Sequence, residues 1–321
     1  MNSSTSTGMT MSGQDWALLV ILSVLWGGTF AFVKIALVGF APLTLVFGRV
    51  LLAALALLGV LLASGVGVPR GAPVWIALAG MGLLNNVLPF SLIFWGQNAL
   101  PPGIAASLAS MLNATTPVFG VVAAHFLTRD EKLTVAKAIG VAAGLAGVAI
   151  MLAPWSRAQA ADGWGTESPR AMLGVGACLL AALIYGFAGI YGRRFKAMGV
   201  APMQTAFGQL AASSVVMCAL ALIVDRPWRA AVPGLAPIAA LVALALLSTA
   251  LAYVIYFRIL GRAGATNLLL VTFLIPITSV ALGTAFLGEG IGLAHVAGMA
   301  VIGLALAVID GRLLRLAAAR R

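Results

Sequence analysis

The sequence predicts an all-α integral membrane protein of ten transmembrane helices, arranged as two inverted five-helix repeats. Three observations carry this prediction: long runs without charge, positive charge collected on one side of those runs, and similarity between two halves. Hydrophobic residues make up 62% of the 321 residues and charged residues only 8%, whereas a soluble domain carries about 25% charged residues. Most of the folded surface is therefore expected to face lipid rather than water.

The apolar runs are long enough to cross a bilayer. Residues 71–128, 197–224, 230–257 and 263–288 contain no Asp, Glu, Lys or Arg, and about 20 apolar residues span the hydrocarbon core. A backbone in lipid must satisfy its own hydrogen bonds, and these runs lack the alternation of barrel strands, so helices are expected. The predicted spans are 16–37, 43–63, 73–95, 103–126, 134–152, 171–191, 203–224, 234–257, 265–287 and 291–309.

The basic residues predict that both termini lie in the cytoplasm. With the N-terminus inside, thirteen of the 19 Lys and Arg residues fall in cytoplasmic segments and five outside, while Arg49 lies within the second span. This is the positive-inside bias of membrane proteins. The net charge of +11 then indicates orientation and contact with anionic lipid headgroups, not nucleic-acid binding. Residues 1–14 lack the basic segment of a signal peptide, so the first span is expected to be retained.

The two halves resemble each other at an offset of about 160 residues. The matching pairs are Trp26-Gly27 with Tyr185-Gly186, Ala41-Pro42 with Ala201-Pro202, Phe47-Gly48 with Phe207-Gly208, Pro117 with Pro276, and Glu131 with Glu289. Five spans per half is an odd number, so the second half must be inverted, and inverted repeats place a substrate site near the midplane between them. The predicted organisation is a disordered cytoplasmic segment 1–15, a first repeat 16–152, a linker 153–170, a second repeat 171–312 and a basic tail 313–321.

Family-typical motifs occur in both halves. They are Leu-Trp-Gly at 25–27 with Phe30 and Lys34, the segment 85–97, Asn-Ala-Thr-Thr-Pro at 113–117, Asp-Glu-Lys-Leu-Thr at 130–134, and Pro276 with Leu-Gly-Glu at 287–289. By these motifs the chain resembles the drug/metabolite transporter superfamily, in its ten-helix branch with two EamA-like domains, over nearly its whole length after about residue 15. The resemblance implies a bacterial inner-membrane transporter. Similar bacterial members export amino acids, including aromatic ones, and others carry sugars, nucleosides, drugs or other metabolites.

Polar side chains within the spans are candidate substrate-binding residues, because polar groups in hydrocarbon are costly and often functional. The third span places Asn86, Phe90 and Gln97 on one helical face, and the fourth places Ser110 and Asn113 beside a proline. The alternative is that these amides and hydroxyls hydrogen-bond neighbouring helices as packing contacts.

Aromatic residues form a second set of candidates. Trp26 and Phe30 lie in the first span, and Tyr185 is the repeat partner of Trp26. In the eighth span Thr249, Tyr253 and Tyr256 share a face. Such rings can hold an amphipathic solute, or they can belong to the interfacial aromatic belt.

Arg49 falls within the second predicted span, and its repeat partner is the neutral Gln209. The guanidinium could extend to the membrane surface along its aliphatic stem, or it could bind a substrate carboxylate through two parallel hydrogen bonds.

No Asp or Glu lies deep in any predicted span. Proton-coupled exporters of cationic drugs use a buried carboxylate, so a neutral or zwitterionic solute carried by uniport is expected instead. Glu131 and Glu289 are predicted to begin their following helices in structural roles, and Gly140 with Gly144 to support close helix packing.

The sequence therefore predicts a membrane exporter of amino acids and related small metabolites working by alternating access. The alternative is a proton-coupled multidrug or other metabolite exporter. A membrane-embedded enzyme or scaffold is disfavoured, because the sequence contains no phosphate-binding loop, metal-ligand cluster or nucleophile motif. No cofactor and no nucleic acid is expected. The expected partners are the solute and membrane lipid, with a monomer as one possible state.

Overall fold

The computed structural model describes residues 11–128, 134–152, 169–268 and 270–310. All regular secondary structure in these residues is helical. The α-helices are α1 (Gly13–Ala36), α2 (Pro42–Ala63), α3 (Ala72–Gly82), α4 (Leu88–Ala99), α5 (Ala105–Asn113), α6 (Thr116–Leu127), α7 (Val135–Leu152), α8 (Pro169–Gly192), α9 (Arg194–Ala197), α10 (Pro202–Leu220), α11 (Leu235–Ala245), α12 (Ala252–Leu268), α13 (Val271–Leu287) and α14 (Leu293–Asp310).

Seven helical stretches are long and apolar enough to cross a membrane. They are Gly13–Ala36, Pro42–Ala63, Ala72–Ala99, Ala105–Leu127, Pro169–Ala197, Pro202–Asp225 and Leu235–Gly264. Three shorter apolar helices cover Val135–Ile150, Val271–Leu287 and Leu293–Val308. Each predicted span falls on one of these stretches, so the prediction of an all-helical membrane protein is confirmed for the described part of the chain.

The first helix begins at Gly13, three residues before the predicted boundary at residue 16. The Ser12 hydroxyl accepts a hydrogen bond from the backbone N–H of Asp15 (3.2 Å), and the Asp15 carboxylate accepts one from the backbone N–H of Ser12 (3.1 Å). This reciprocal cap satisfies two donors at the helix start. Arg262 near the end of α12 then pairs with Asp15 at 3.0 Å, which ties this end of α1 to α12.

Several stretches contain wide or broken turns. A π-helical turn at Leu83–Val87 joins α3 to α4, and another at Leu246–Leu251 joins α11 to α12. Pro89 follows the first of these turns, where its missing N–H and bulky ring disfavour regular α-helical bonding to the preceding turn. The fourth predicted span breaks into α5 and α6 just before Pro117, whereas Pro276 stays inside α13.

Helices from the two halves of the chain pack against each other. Helix α1 packs on α13, α11 and α12, while α8 packs on α6, α5 and α4. Helix α2 packs on α10 and α11, α3 packs on α10, and α7 packs on α14. Each of these contacts joins a helix of the first half to a helix of the second half, so the two halves form one packed structure.

Glycine permits the closest helix crossings. A Cβ atom added to Gly27 would lie 2.9 Å from the backbone N of Ser279, and one added to Gly186 would lie 2.9 Å from the backbone N of Gly120. Close helix packing was predicted at Gly140 and Gly144, and Gly144 does pack closely, since its added Cβ would lie 2.8 Å from the Val118 side chain of α6. The α7–α14 crossing depends instead on Gly147, whose added Cβ would lie 2.8 Å from the carbonyl oxygen of Gly298.

Some predictions fall on residues that the structure does not describe. These are the N-terminal segment up to residue 10, most of the linker 153–170, the basic tail 313–321 and the role of Glu131.

Candidate functional site

Arg49 is buried in the interior of the helix bundle. It lies in the second turn of α2, about 10 Å along the helix from its start, and only 5% of the residue is exposed. Its Nε–H donates to the hydroxyl oxygen of Thr249 at 2.9 Å. Its guanidinium carbon lies 3.9 Å from the centroid of the Phe90 ring and 5.7 Å from that of Phe94, within the range of cation–π attraction.

A second set of polar side chains, from Asn85 and Gln209, surrounds the hydroxyl of Tyr253. This hydroxyl accepts hydrogen bonds from the Asn85 side-chain amide and from the Gln209 side-chain amide, each at 3.2 Å. The Asn85 amide also donates to the Gln209 side-chain carbonyl at 3.1 Å. The three side chains therefore form a closed triangle that joins α10, α12 and the π-helical turn before α4.

The two groups form one site. Tyr253 and Tyr185 are both close enough to Arg49 to interact with its charge electrostatically. We call this set the central cluster, and its members are Arg49, Asn85, Phe90, Tyr185, Gln209, Thr249 and Tyr253. It brings together five residues that the sequence predicts as substrate-binding, from four of the predicted spans.

Asn85 and Gln209 belong to the cluster but were not among the predicted site residues. The prediction extended regular α-helical spacing from Asn86 to Phe90, and the π-helical turn at Leu83–Val87 adds one residue to that turn. Asn85, rather than Asn86, therefore reaches Tyr253. The repeat offset could have identified Gln209, since it occupies the position equivalent to Arg49.

Asn86 instead contacts α10. Its side-chain amide donates to the Ser213 hydroxyl at 3.1 Å, and that hydroxyl donates to the backbone carbonyl oxygen of Gln209 at 2.6 Å. The side-chain carbonyl oxygen of Asn86 is buried without a hydrogen-bond partner among the described residues.

A further group of polar atoms lies on α4 and α5. The Gln97 amide donates to the backbone carbonyl of Phe30 at 2.6 Å, which connects two predicted site residues. The side-chain carbonyl oxygens of Gln97 and Asn113 and the hydroxyl oxygen of Ser110 are buried and have no partner among the described residues. Unpartnered buried acceptors are rare in proteins, so these atoms are positions where a bound solute or water would be stabilised.

Trp26 and Tyr256 pair with each other outside the central cluster. Their ring centroids lie 5.6 Å apart, which joins α1 to α12. Tyr256 also contacts Phe257 edge-on, and Phe257 stacks on Tyr253. The predicted shared face of Thr249, Tyr253 and Tyr256 is therefore divided. Thr249 and Tyr253 belong to the central cluster, whereas the Tyr256 ring faces Trp26 of α1.

Glu289 occupies a different position from the predicted one. It precedes α14 but does not cap it, because its carboxylate lies at the N-terminus of α5. It accepts hydrogen bonds from the backbone N–H of Ala106 (2.9 Å) and Ser107 (2.8 Å) and from the Ser107 hydroxyl (2.6 Å), and it pairs with Lys34 of α1 at 2.9 Å. A carboxylate at a helix N-terminus is stabilised by the exposed N–H groups and the helix dipole. We call these four residues the Glu289 clamp.

The clamp keeps the carboxylate ionised. Burial by itself would raise the pKa of Glu289, but hydrogen bonds from Ser107, Lys34 and Ala106 outweigh it and hold that pKa below its usual value. The clamp ties the end of α1 to the start of α5 and to the α13–α14 connection. A hydrogen bond from the Gly290 N–H to the Gly103 carbonyl (3.1 Å) reinforces this closure.

Three further observations lie outside the central cluster. A separate surface pocket of about 390 Å³ is lined by Leu84, Leu127, Phe187, Ile190, Tyr191 and Arg194, and none of these residues belongs to the central cluster. Within the described ranges no group of three His, Cys, Asp or Glu side chains could hold a metal ion. Cys178 and Cys218 are both free thiols.

Known proteins are similar to this chain in sequence and in fold. A profile of the EamA-like transporter family matches residues 15–153 and again residues 172–309. The uncharacterized transporter YvbV of Bacillus subtilis is 26% identical over 301 residues, covering 91% of this chain and 90% of that protein. The uncharacterized inner membrane transporter YedA of Escherichia coli K12 is 29% identical over 273 residues, covering 84% and 82%.

One solved crystal structure has a similar fold, with a TM-score of 0.64 at 21% identity, and the match covers 95% of this chain and 99% of the other. Because the family profile accounts for most of the sequence in two matches, the protein is a transporter and not an enzyme, and the chain belongs to the EamA-like transporter family.

Proposed function

We propose that this protein exports amino acids and related small metabolites by alternating access, as a uniporter with its binding site at the central cluster. The observation that carries the proposal is the cluster itself. Buried donors and aromatic rings from both halves of the chain converge there, where an inverted-repeat transporter binds its solute.

Reciprocal contacts support two inverted repeats. Gly27 of α1 faces α13, and its equivalent Gly186 of α8 faces α6. Gly48 of α2 faces the Leu241 side chain of α11, and its equivalent Gly208 of α10 faces Leu78 of α3. Exchange of the two halves therefore exchanges these contacts, as an inverted repeat requires. These contacts support the proposal of ten crossings, five per repeat.

The same reciprocity extends to the central cluster. Arg49 of α2 bonds Thr249 in the π-helical turn of the second half, and its equivalent Gln209 of α10 bonds Asn85 in the π-helical turn of the first half. Residues related in this way lie near the axis that relates the two halves. Such a site is exposed to opposite sides in turn when one repeat moves against the other.

The chemistry of the site favours a solute with both polar and apolar parts. Phe90, Tyr185 and Tyr253 supply aromatic surface beside hydrogen-bonding groups, as recognition of an amphipathic solute requires. Among the described residues, the buried carboxylates are Asp15 and Glu289, and both are paired with cations near helix ends. That pairing disfavours the alternative of a proton-coupled exporter of cationic drugs.

We place the protein in the bacterial inner membrane with both termini in the cytoplasm. The inner-membrane location is supported by the similarity to the inner membrane transporter YedA. The orientation is supported by the excess of basic residues in the predicted cytoplasmic segments. In this orientation the Glu289 clamp closes the external end of the bundle, and the Asp15–Arg262 pair lies at the cytoplasmic end.

Transport in proteoliposomes tests the proposal. Vesicles loaded with a panel of labelled amino acids should release at least one of them faster than protein-free vesicles, with and without a pH gradient. Phe90→Leu should slow that release, because it removes the ring beneath Arg49, whereas Phe126→Leu should not, because Phe126 is 76% exposed.

The outcome also separates the alternatives. Release of no amino acid above the protein-free rate would refute the amino-acid proposal. Uptake of a cationic dye that depends on a proton gradient would favour the multidrug exporter.

A further inference from the structure

We infer that the central cluster contains a carboxylate-binding subsite, formed by the two terminal nitrogens of Arg49 and the hydroxyl groups of Tyr185 and Tyr253. The inference rests on the proposed function and adds to it the chemical group by which the solute is held. It requires that the solute carry one ionised carboxylate when it binds.

The charge of Arg49 has no counter-charge in the described part of the chain. No carboxylate of the described residues lies within 4.0 Å of its guanidinium. The ion pairs among the described residues are Lys34–Glu289 and Arg262–Asp15, and neither involves Arg49. A buried charge without a partner is costly, and such charges in membrane proteins are paired or functional. The Phe90 and Phe94 rings offset part of that cost through cation–π attraction, but they leave the net charge in place.

The contacts of Arg49 leave one edge of the guanidinium available. Phe90 covers one face of the plane, and Thr249 holds the Nε–H. The Thr249 hydroxyl is itself oriented, because it donates to the carbonyl oxygen of Leu244 at 2.9 Å. The terminal nitrogens make no hydrogen bond to any described residue. These nitrogens are the donors that bind a carboxylate through two parallel bonds.

The nearby tyrosines add hydrogen-bond donors. Tyr253 accepts two hydrogen bonds, from Asn85 and Gln209, so its lone pairs are used and its own O–H remains to donate. The Tyr185 hydroxyl makes no hydrogen bond to any described residue, and Tyr185 is within electrostatic range of Arg49. A site with a cation and uncommitted O–H donors is complementary to a group that only accepts, such as a carboxylate.

The number of charges favours a carboxylate over a phosphate ester. Arg49 is the one buried cationic side chain in the described core that has no anionic partner. One positive charge matches one carboxylate, whereas a phosphate group carries about −1.5 to −2 at neutral pH.

The repeat supplies a natural comparison for a substitution. Gln209 occupies the position equivalent to Arg49 and is accommodated by two neutral hydrogen bonds. The Arg49→Gln variant should therefore fold. If that variant does not fold, Arg49→Lys serves as the second variant, because it keeps the positive charge. Arg70→Gln is the matched control, because Arg70 is exposed in the connection between α2 and α3.

Binding of small probes to the purified protein tests the subsite independently of transport. Thermal stabilisation of the wild type in detergent should be produced by phenylacetate and not by phenylacetamide, benzylamine or inorganic phosphate. Arg49→Gln should weaken phenylacetate binding by about 10- to 100-fold, Arg49→Lys should weaken it less, and Arg70→Gln should leave it unchanged.

The results distinguish this inference from the proposed function. Equal stabilisation by phenylacetate and phenylacetamide, or equal phenylacetate binding by wild type and Arg49→Gln, would overturn the subsite even if amino acids cross the membrane. Selective phenylacetate binding that is lost in Arg49→Gln supports the subsite, even if no amino acid in the vesicle panel is released.

Discussion

Arg49 and Gln209 occupy equivalent positions in α2 and α10 and make different bonds. Gln209 is satisfied by Asn85 and Tyr253, whereas Arg49 has only the Thr249 oxygen and aromatic rings. A fold that needed a cation at this position would need it in both halves. The single charge is therefore a property of the site and not of the helix packing.

Tyr253→Phe tests the triangle at the residue scale. The change removes the acceptor shared by the Asn85 and Gln209 amides, so we expect a loss of about 1–3 kcal/mol in the free energy of unfolding. It also removes one donor of the proposed subsite, so phenylacetate binding should weaken. Unfolding in detergent, followed by circular dichroism, measures the first effect.

Tyr256→Phe provides the control for that prediction. The Tyr256 hydroxyl makes no hydrogen bond among the described residues, and its ring contacts with Trp26 and Phe257 survive the substitution. Equal stabilities of the two variants would contradict a structural role for the triangle.

At the residue scale, the sequence predicted which polar side chains lie inside the bundle better than it predicted their partners. Spacing and hydrophobic context identify side chains buried within a span. They therefore predicted four residues that meet as one group: Arg49, Phe90, Thr249 and Tyr253. Asn85 was missed because regular helical spacing was carried through a π-helical turn, and such a turn depends on tertiary packing that the local pattern does not record.

Helix α8 is held between α4 and α6 by two glycine contacts. An added Cβ at Gly174 would lie 2.9 Å from the Gly96 carbonyl oxygen, and one at Gly186 would lie 2.9 Å from the Gly120 nitrogen. In lipid, where apolar burial does not drive helix association, such close backbone contact is a main source of stability. Tyr185 precedes Gly186, so this packing also sets the position of Tyr185 beside Arg49.

Gly186→Ala should therefore destabilise the protein by about 1–3 kcal/mol, because the new methyl group meets backbone that cannot move aside. Gly189→Ala, one turn later in α8, has nothing within 4 Å of its added Cβ. It should leave stability unchanged or raise it by up to about 1 kcal/mol through helix propensity. Thermal unfolding of both variants in the same detergent compares them, and a loss in Gly189→Ala as large as in Gly186→Ala would contradict the packing account.

At the element scale, hydropathy and charge-free length located every helical stretch, because lipid solvation imposes length and apolarity directly. The breaks were less predictable. Pro117 starts a new helix while Pro276 remains inside α13, so the same residue type has two outcomes that depend on the surrounding helices.

The Glu289 clamp acts on the whole molecule, since it joins α1, α5 and the α13–α14 connection. Glu289→Gln leaves Lys34 without its counter-charge and places an amide donor among N–H groups, so we expect a loss of about 1–3 kcal/mol. Lys34→Met should cost less, because Glu289 keeps its three hydrogen bonds from α5. Equal losses would contradict the account of the α5 N-terminus.

The clamp also predicts a pH dependence. The pKa of Glu289 is lower in the folded protein than its ordinary value of 4.5, so its contribution to stability is complete above that value. The contribution falls as the pH drops through the depressed pKa. Stability curves of wild type and Glu289→Gln should therefore converge in acid and separate toward neutral pH, and a constant difference across this range would contradict the assignment.

A lock at the external end of the bundle tests alternating access most directly. The Gly290 N–H bonds the Gly103 carbonyl at 3.1 Å, and a Cβ added to either glycine meets nothing within 4 Å. Cysteines at both positions, with Cys178 and Cys218 replaced by alanine, should form a disulfide across the closed end. Release of labelled amino acid from proteoliposomes should stop when the pair is oxidised and return when it is reduced. Release at the full reduced-state rate from completely cross-linked protein would contradict alternating access.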